Sequence, residues 1–482
     1  MVEARHNRSS AILFLFCAIS LGSSAFAQAP APLAPIQDQL QPVMVTEPIQ
    51  TQVTPDQNPL TGGQRVGFGS WGPRHSFIVP SVRFAETLES NPLLLSNAND
   101  SYRGFSSFGG DAQAVRYFGR DTEIRYVGSL RYDTYNELQG YNNFGSSNDF
   151  LIARDFVFRT WQLRFENETQ YSNGSNFGAA GMEGMGGVVG QLSQWSGLSN
   201  VQLSSATVRP DLLPSQAILT GRVGRVANAL LGEADIHLDA RDMLTVSGSY
   251  SLLHFTQDLL IDTRQTSGIV GLNRNITPRD SIAIEAMYSH FQLVGQPNTI
   301  NTAQLSLLYA RRISGMLSVE FGGGPVLQRT NFQNGVAPSA TAAHTTNVGG
   351  GGRAALHYRV SRLLLMVAGQ RTVTGGAGVL AGAMTTTGTG TATLTLSRNW
   401  TGDLRFGIAH NAQLNSPLVY NTQDAGISLT RRLGLKMNMF ASYDFDRQTN
   451  STTCTGPLCQ YGGTRNVFGI GLAWKGTPMS LQ

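Results

Sequence analysis

Apolar and polar residues alternate with a period of two along most of the chain from Ser76 onward. In Thr122 to Asp133, Ile124, Tyr126, Leu130 and Tyr132 share one phase, while Glu123, Arg125, Ser129, Arg131 and Asp133 take the other. Leu244 to Leu252 repeats the rhythm, with Leu244, Val246, Tyr250 and Leu252 set against Thr245, Ser247, Ser249 and Ser251. Leu435 to Asp446 does so again, broken only by Phe440. Successive side chains of a strand point to opposite faces, so each segment predicts a strand with one oily and one polar face. A stacked sandwich would alternate too. The predicted strands run for roughly nine to fourteen residues, beyond the usual globular length of about five or six. Ten residues tilted by about 45° span about 24 Å, the height of the apolar band of a transmembrane barrel.

The connections alternate between tight turns and long loops. Tight turns are predicted at Gly119–Asp121, Arg159–Trp161, Ala240–Asp242, Thr277–Asp280, Arg311–Gly315, Arg359–Ser361, Ser397–Gly402 and Arg431–Gly434. Each carries an arginine: Arg120, Arg159, Arg241, Arg279, Arg311, Arg359, Arg398 and Arg431. Eight turns join sixteen strands; one strand before them (Ser76–Thr87) and one after the last loop (Asn466–Trp474) give about eighteen. An even number returns both ends of a barrel to one side. The expected fold is therefore all-β, a transmembrane antiparallel β-barrel with short periplasmic turns and long external loops. Tyr117, Phe158, Trp161, Tyr309, Tyr358, Trp400 and Trp474 fall near strand ends, where aromatic girdles sit at a membrane interface. The turn arginines either hold lipid phosphates, which arginine grips with two donors, or are plain solvated turn residues.

With the oily phase toward lipid, Glu123, Arg125, Arg131, Asp133, Arg164, Glu166 and Glu168 become candidate pore-lining residues. They bear both signs. They either set a transverse field for polar solutes or pair with one another and stiffen the wall. The longest connection, Ser172 to Asn228, is Gly-rich at Gly174 to Gly190 and carries Arg209, Asp211, Arg222 and Arg225. As the third external loop it either constricts the pore or forms a lid.

Residues 1–27 read as a signal peptide, with Arg5 and Arg8 ahead of the apolar run Ala11 to Gly22 and an A-x-A cleavage site at Ala25 and Ala27. Residues 28–75 read as a Pro/Gln-rich periplasmic linker, seven Pro and seven Gln falling between Gln28 and Leu60. The barrel occupies 76–474 and a short tail 475–482. Charged residues make up only 14% of the chain and glycine 54 of its 482 residues, against about a quarter and about 7% in soluble domains. That composition disfavours a soluble enzyme. A formal net charge of +4 is too small to imply a nucleic-acid partner. Cys454 and Cys459 form a candidate disulfide in an oxidising compartment.

Phe77 to Thr87, followed by Ser90-Asn91-Pro92, resembles the opening strand of a β-barrel porin family of outer-membrane proteins found beside exopolysaccharide gene clusters. Asn275 to Asp280 is similar to turns of that family, and Pro278 pre-sets φ at its second position. Pro80 departs from ideal strand chemistry. Val467 to Trp474 resembles the C-terminal signal read by the barrel assembly machinery, with Gly469, Leu472 and Trp474 in place and Val467 where a polar residue is usual. The resemblance implies an outer-membrane location and a link to polysaccharide export, and it brings no catalytic residues.

Gly67 to Gly72 spells a dinucleotide motif, but a Pro-rich linker precedes it and Pro73 follows, so no helix N-terminus is available for phosphate. No histidine sits at a zinc spacing, and no cofactor or catalytic site is expected. The chain reads as a porin-like channel for passive passage of small hydrophilic solutes. Exopolysaccharide export and a barrel hydrolase are the alternatives. Its expected partners are outer-membrane lipid, the assembly machinery, and the solutes or polysaccharide that pass.

Overall fold

Extended segments with one oily face hide their backbone polar groups by pairing edge to edge, and here the pairing returns to the strand where it began. The computed structural model describes Leu60 and residues 76–91, 102–119, 121–135, 143–172, 218, 223–296, 298–332, 344–376, 378–451, 459 and 461–481. Residues Val45–Gln482 form the unit that holds the barrel. Its strands are β1 (Phe77–Ser90), β2 (Tyr102–Phe118), β3 (Thr122–Tyr135), β4 (Asn143–Val157), β5 (Trp161–Ser172) and β6 (Arg225–His237). Then come β7 (Asp242–Phe255), β8 (Thr263–Thr277), β9 (Asp280–Leu293), β10 (Asn298–Arg312), β11 (Leu317–Phe332) and β12 (His344–Val360). The series ends with β13 (Leu363–Thr374), β14 (Ala383–Ser397), β15 (Trp400–Gln413), β16 (Val419–Arg432), β17 (Met437–Asn450), β18 (Gly463–Lys475) and the two-residue β19 (Met479–Ser480).

Each strand from β1 to β18 pairs antiparallel with its sequence neighbours, and β18 closes on β1 from Ser81↔Lys475 to Glu89↔Val467. The result is a closed barrel of eighteen strands, with β19 continuing the seam at Phe77↔Ser480 and Ile78↔Met479. Pro80 sits at the break between those two ladders, where its missing N–H leaves no gap, and its carbonyl accepts from the Gly476 N–H at 2.7 Å. All eight expected turns join consecutive strands at one end of the barrel. Local side-chain acceptors fold several of them. Asp239 Oδ1 accepts from the N–H groups of Arg241 (2.6 Å) and Asp242 (2.7 Å), and those two donors hold its carboxyl below the usual carboxylate range. Thr277 Oγ1 does the same for Arg279 and Asp280, and Ser314 Oγ for Met316 and Leu317.

The oily phase points outward. Leu130 on β3, Val246 and Tyr250 on β7, and Phe468, Ile470, Leu472 and Trp474 on β18 are all exposed. A belt of rings and guanidinium groups rims the turn end. Phe158 stacks on Trp161 at 4.0 Å, Tyr309 packs on Phe321, and Arg116, Arg154 and Arg431 lie over Phe118, Phe156 and Trp400. Tyr117 is the exception among the expected girdle residues. It lies one step out of phase, on the inward side of β2, and Phe118 takes the outward place. Phe440, which breaks the alternation of β17, is inward and buried against Ala85 and Ala473, so a wall of small side chains makes room for it. Leu435 belongs to the turn before β17 and is exposed.

β11 comes unusually close to β10 at glycine, where the ladder lapses between Gln304↔Val326 and Leu307↔Gly323. A Cβ on Gly324 would stand 1.8 Å from the Leu305 carbonyl oxygen of the neighbouring strand, with no flexible side chain to give way. Gly324→Ala is expected to reduce the folded, heat-modifiable fraction on semi-native gels severalfold. Gly110→Ala meets only the Ser81 carbonyl at 3.8 Å and should fold normally.

Candidate functional site

The polar phase of every strand faces the barrel interior, so the candidate site is the lumen and its two ends. Glu123, Arg125 and Asp133 on β3 and Arg164, Glu166 and Glu168 on β5 are all buried on that inner face. Arg125 Nε lies 3.7 Å from Glu123 Oε1, and Arg164 pairs with Glu166. Four of the sequence positions thus come together as ion pairs along single strands. The Arg131 side chain and Cys454 lie outside the described residues, and Cys459 is disulfide-bonded.

Further inward charges come from positions outside the candidate set. Arg83 on β1 faces Asp111 on β2 at 4.0 Å. Arg405 on β15 pairs with Asp444 on β17, and Arg465 on β18 bridges Asp446 (2.6 Å) and Glu89 (3.8 Å) across the closing seam. Arg353 on β12 donates to Glu320 on β11 at 2.9 Å and stands 3.6 Å from Glu285 on β9. One Arg353 Nη2 also donates to the carbonyl of Leu60. Leu60 is itself 2% exposed, packed on the inward side chains of Ala283, Leu308 and Ala310. A residue of the segment expected to be a linker is therefore seated against the inner wall. Its carbonyl offers the acceptor, and its leucine covers the short apolar patch beside the Arg353 cluster.

The loop end of the lumen is apolar. Ala227 on β6, Leu253 and Phe255 on β7 and Leu260 in the following loop join Val379, Leu380, Ala383, Tyr420 and Tyr461 in one buried cluster, together with Ile218 and Val223. β7 and β16, which carry Phe255 and Tyr420, lie nine strands apart around an eighteen-strand wall. The contact therefore crosses the mouth. A second cluster, with Ile261, Phe291, Leu293, Ile300, Val326 and Val373, continues it.

The reach comes from the connection between β13 and β14, residues 375–382. Gly376 O accepts from the N–H groups of Val379 (3.1 Å) and Leu380 (3.0 Å), which turns the chain inward. Gly376, Gly378 and Gly382 hold φ of 87°, 79° and 84°, open to glycine and strained for other residues. The Ile261 N–H donates to Gly378 O at 2.8 Å and the Leu414 N–H to Gly382 O, tying this loop to two others. The signal in the sequence was Val379-Leu380, an apolar pair amid glycines in an external loop. Of the long connection Ser172 to Asn228 expected to constrict the pore, residues 173–217 and 219–222 lie outside the described residues. Ile218 is buried in the mouth cluster, and Arg225 is buried on the inner face of β6.

No protein-family model matches the chain, and no curated protein does. Among solved structures it is similar to OpdL of Pseudomonas aeruginosa, at 10% identity and a TM-score of 0.36, covering 84% of this chain and 99% of that one. It is also similar to OpdQ of the same organism, at 9% identity and a TM-score of 0.38 over 84% and 100% of the two chains. OccAB4 of Acinetobacter baumannii gives 7% identity and a TM-score of 0.38, over 84% and 99%. The eighteen-strand barrel itself rests on this chain's own closed ladder.

Proposed function

We propose that the chain is an outer-membrane channel for small hydrophilic solutes, exported by the leader ending at Ala27 and inserted through its last strand. The observation that carries the reading is the segregation of the wall. Leu130, Phe468, Ile470, Leu472 and Trp474 face out, while Arg83, Asp133, Arg164, Asp446 and Arg465 are buried on the inside. Only a bilayer solvates the first set without penalty, and only a polar interior suits the second. The aromatic and arginine belt at the turn end fits the headgroup level of one leaflet. Barrels of 16–18 strands are wide enough for an aqueous path. The lumen charges and the apolar mouth would then set which solutes pass.

Export of a polysaccharide is the second reading. It is favoured by the resemblance to barrels encoded beside exopolysaccharide genes. The test is reconstitution of the purified chain in planar bilayers and in liposomes loaded with sugars of graded size. Step currents with entry of mono- and disaccharides are expected. Passage of long oligosaccharides in preference to small sugars would replace the first reading by the second, and silent bilayers with impermeable liposomes would end both.

A further inference from the structure

One stretch of the lumen wall carries more carboxylates than guanidinium groups among the described residues. Asp424 on β16 and Asp446 on β17 are directly opposed in the ladder, and both are inward. Like charges placed directly across a strand pair repel. Asp444, two residues along β17, is inward as well, and Glu89 adds a fourth carboxylate from β1. Among the described residues two guanidinium groups, of Arg405 and Arg465, face the three aspartates, while Glu89 also lies directly across the ladder from Arg103. Arg405 pairs with Asp444 across Gly426, and Arg465 takes Asp446 Oδ2 and Glu89. Asp424 receives a hydrogen bond from neither. It is 4% exposed, and among the described residues both of its carboxylate oxygens lack a hydrogen-bond donor, as does the remaining oxygen of Asp446. At the next inward pair on the same strands, Thr422 Oγ1 donates to Gln448 Oε1 at 3.1 Å.

We propose that Asp424 and Asp446 form a cation site on the lumen wall, at which the two facing carboxylates hold a small monovalent cation or the ammonium group of a permeating solute. Buried carboxylates without donors are costly, and two of them side by side cost more. A water molecule would supply donors and leave the excess charge; a cation removes both penalties wherever the pH is high enough that the two acids do not share a proton. Among the described residues no three metal-ligating side chains converge, so the site suits a hydrated or ammonium-type cation better than a stripped divalent metal. As a statement about solutes this rests on the channel reading, and the site itself does not.

The test is thermal unfolding of the purified full-length chain in detergent at constant ionic strength and mildly alkaline pH, where the two acids do not share a proton. The bulky cation N-methylglucamine is replaced by sodium in one arm and by methylammonium in the other. A ligand that binds only the folded state raises the midpoint. The wild-type midpoint is expected to rise by several degrees. Asp424→Asn, relieved of the opposed charge, is expected to start higher in N-methylglucamine and to show no cation-specific rise. A rise with sodium alone assigns a metal cation; a rise with methylammonium that matches or exceeds it assigns the ammonium group. Equal midpoints in all three salts for the wild type overturn the proposal, whether or not the variant folds. In bilayers under a salt gradient the wild type should favour cations severalfold and Asp424→Asn less so. A silent bilayer with the cation-specific rise intact removes the channel reading and leaves the site. Conduction without any cation-specific rise removes the site and leaves the channel.

Discussion

Replacing Val379 and Leu380 together by serine is expected to raise the current through the reconstituted barrel by an order of magnitude or more. Both side chains are fully or nearly fully buried in the mouth, against residues of strands on the far side of the wall. Burial of a valine or leucine stabilises by about 1.5–3 kcal/mol relative to exposure. Serine forfeits that for both residues and brings a hydroxyl that needs a partner. The inward position of residues 375–382 is otherwise held by a few backbone bonds, among them Ile261 to Gly378 and Leu414 to Gly382. A loss of about 3 kcal/mol or more shifts an inward–outward equilibrium by over a hundredfold, and the mouth then stands open most of the time. Gly378→Val should act in the same direction by a different route. Its backbone sits at φ 79°, and a Cβ there would lie 2.3 Å from a ring carbon of Phe255. The loop contributes no strand to the wall, so the heat-modifiable fraction should stay at the wild-type level for both variants. Unchanged unitary conductance and unchanged sugar entry in both would show that the loop does not limit the path.

The wall was legible because it is written in a local code. Period-two alternation gave the strands, and Asp, Thr, Ser and Pro at turn positions gave the breaks. Thr122 to Asp133 therefore appears as β3, and the turn Thr277–Asp280 appears where its Pro278 and its Thr277 acceptor place it. Two features were out of reach because they depend on register between distant segments. Arg353 finds Glu320 across 33 positions, and Arg405 finds Asp444 across 39; Arg353 stands alone among small residues in sequence, from Gly349 to Ala355. Leu60 was hidden for another reason. The Pro/Gln composition around it states what the segment cannot build by itself, and is silent about a seat that another part of the chain provides. Tyr117 shows the limit of counting aromatics near strand ends, since a shift of one residue moves a side chain from lipid to lumen.

That seat gives the second large effect. Arg353→Met is expected to lower the thermal midpoint of the barrel strongly and to release Leu60 from the wall. The methionine keeps most of the volume and removes the charge that Glu285 and Glu320 share. Breaking a buried pair by deleting one partner costs about 3–5 kcal/mol, because the survivors stay charged and out of water. Here two carboxylates lose this arginine at once, with side chains only 7% and 3% exposed. The Leu60 carbonyl loses its donor in the same step. A cysteine pair introduced as Leu60→Cys and Ala310→Cys reports on the seat, since both residues belong to one buried cluster and should cross-link with a short bifunctional reagent in the parent chain. In the Arg353→Met background that cross-link should fall severalfold. Adding Glu285→Gln and Glu320→Gln should restore most of the midpoint, because the repulsion is gone, without restoring the cross-link to its full yield, because the donor to Leu60 is still absent. Restoration of both together would mean that Leu60 is held by packing on Ala283, Leu308 and Ala310 alone, and a midpoint untouched by Arg353→Met would mean that the two glutamates are already neutralised by something other than this arginine.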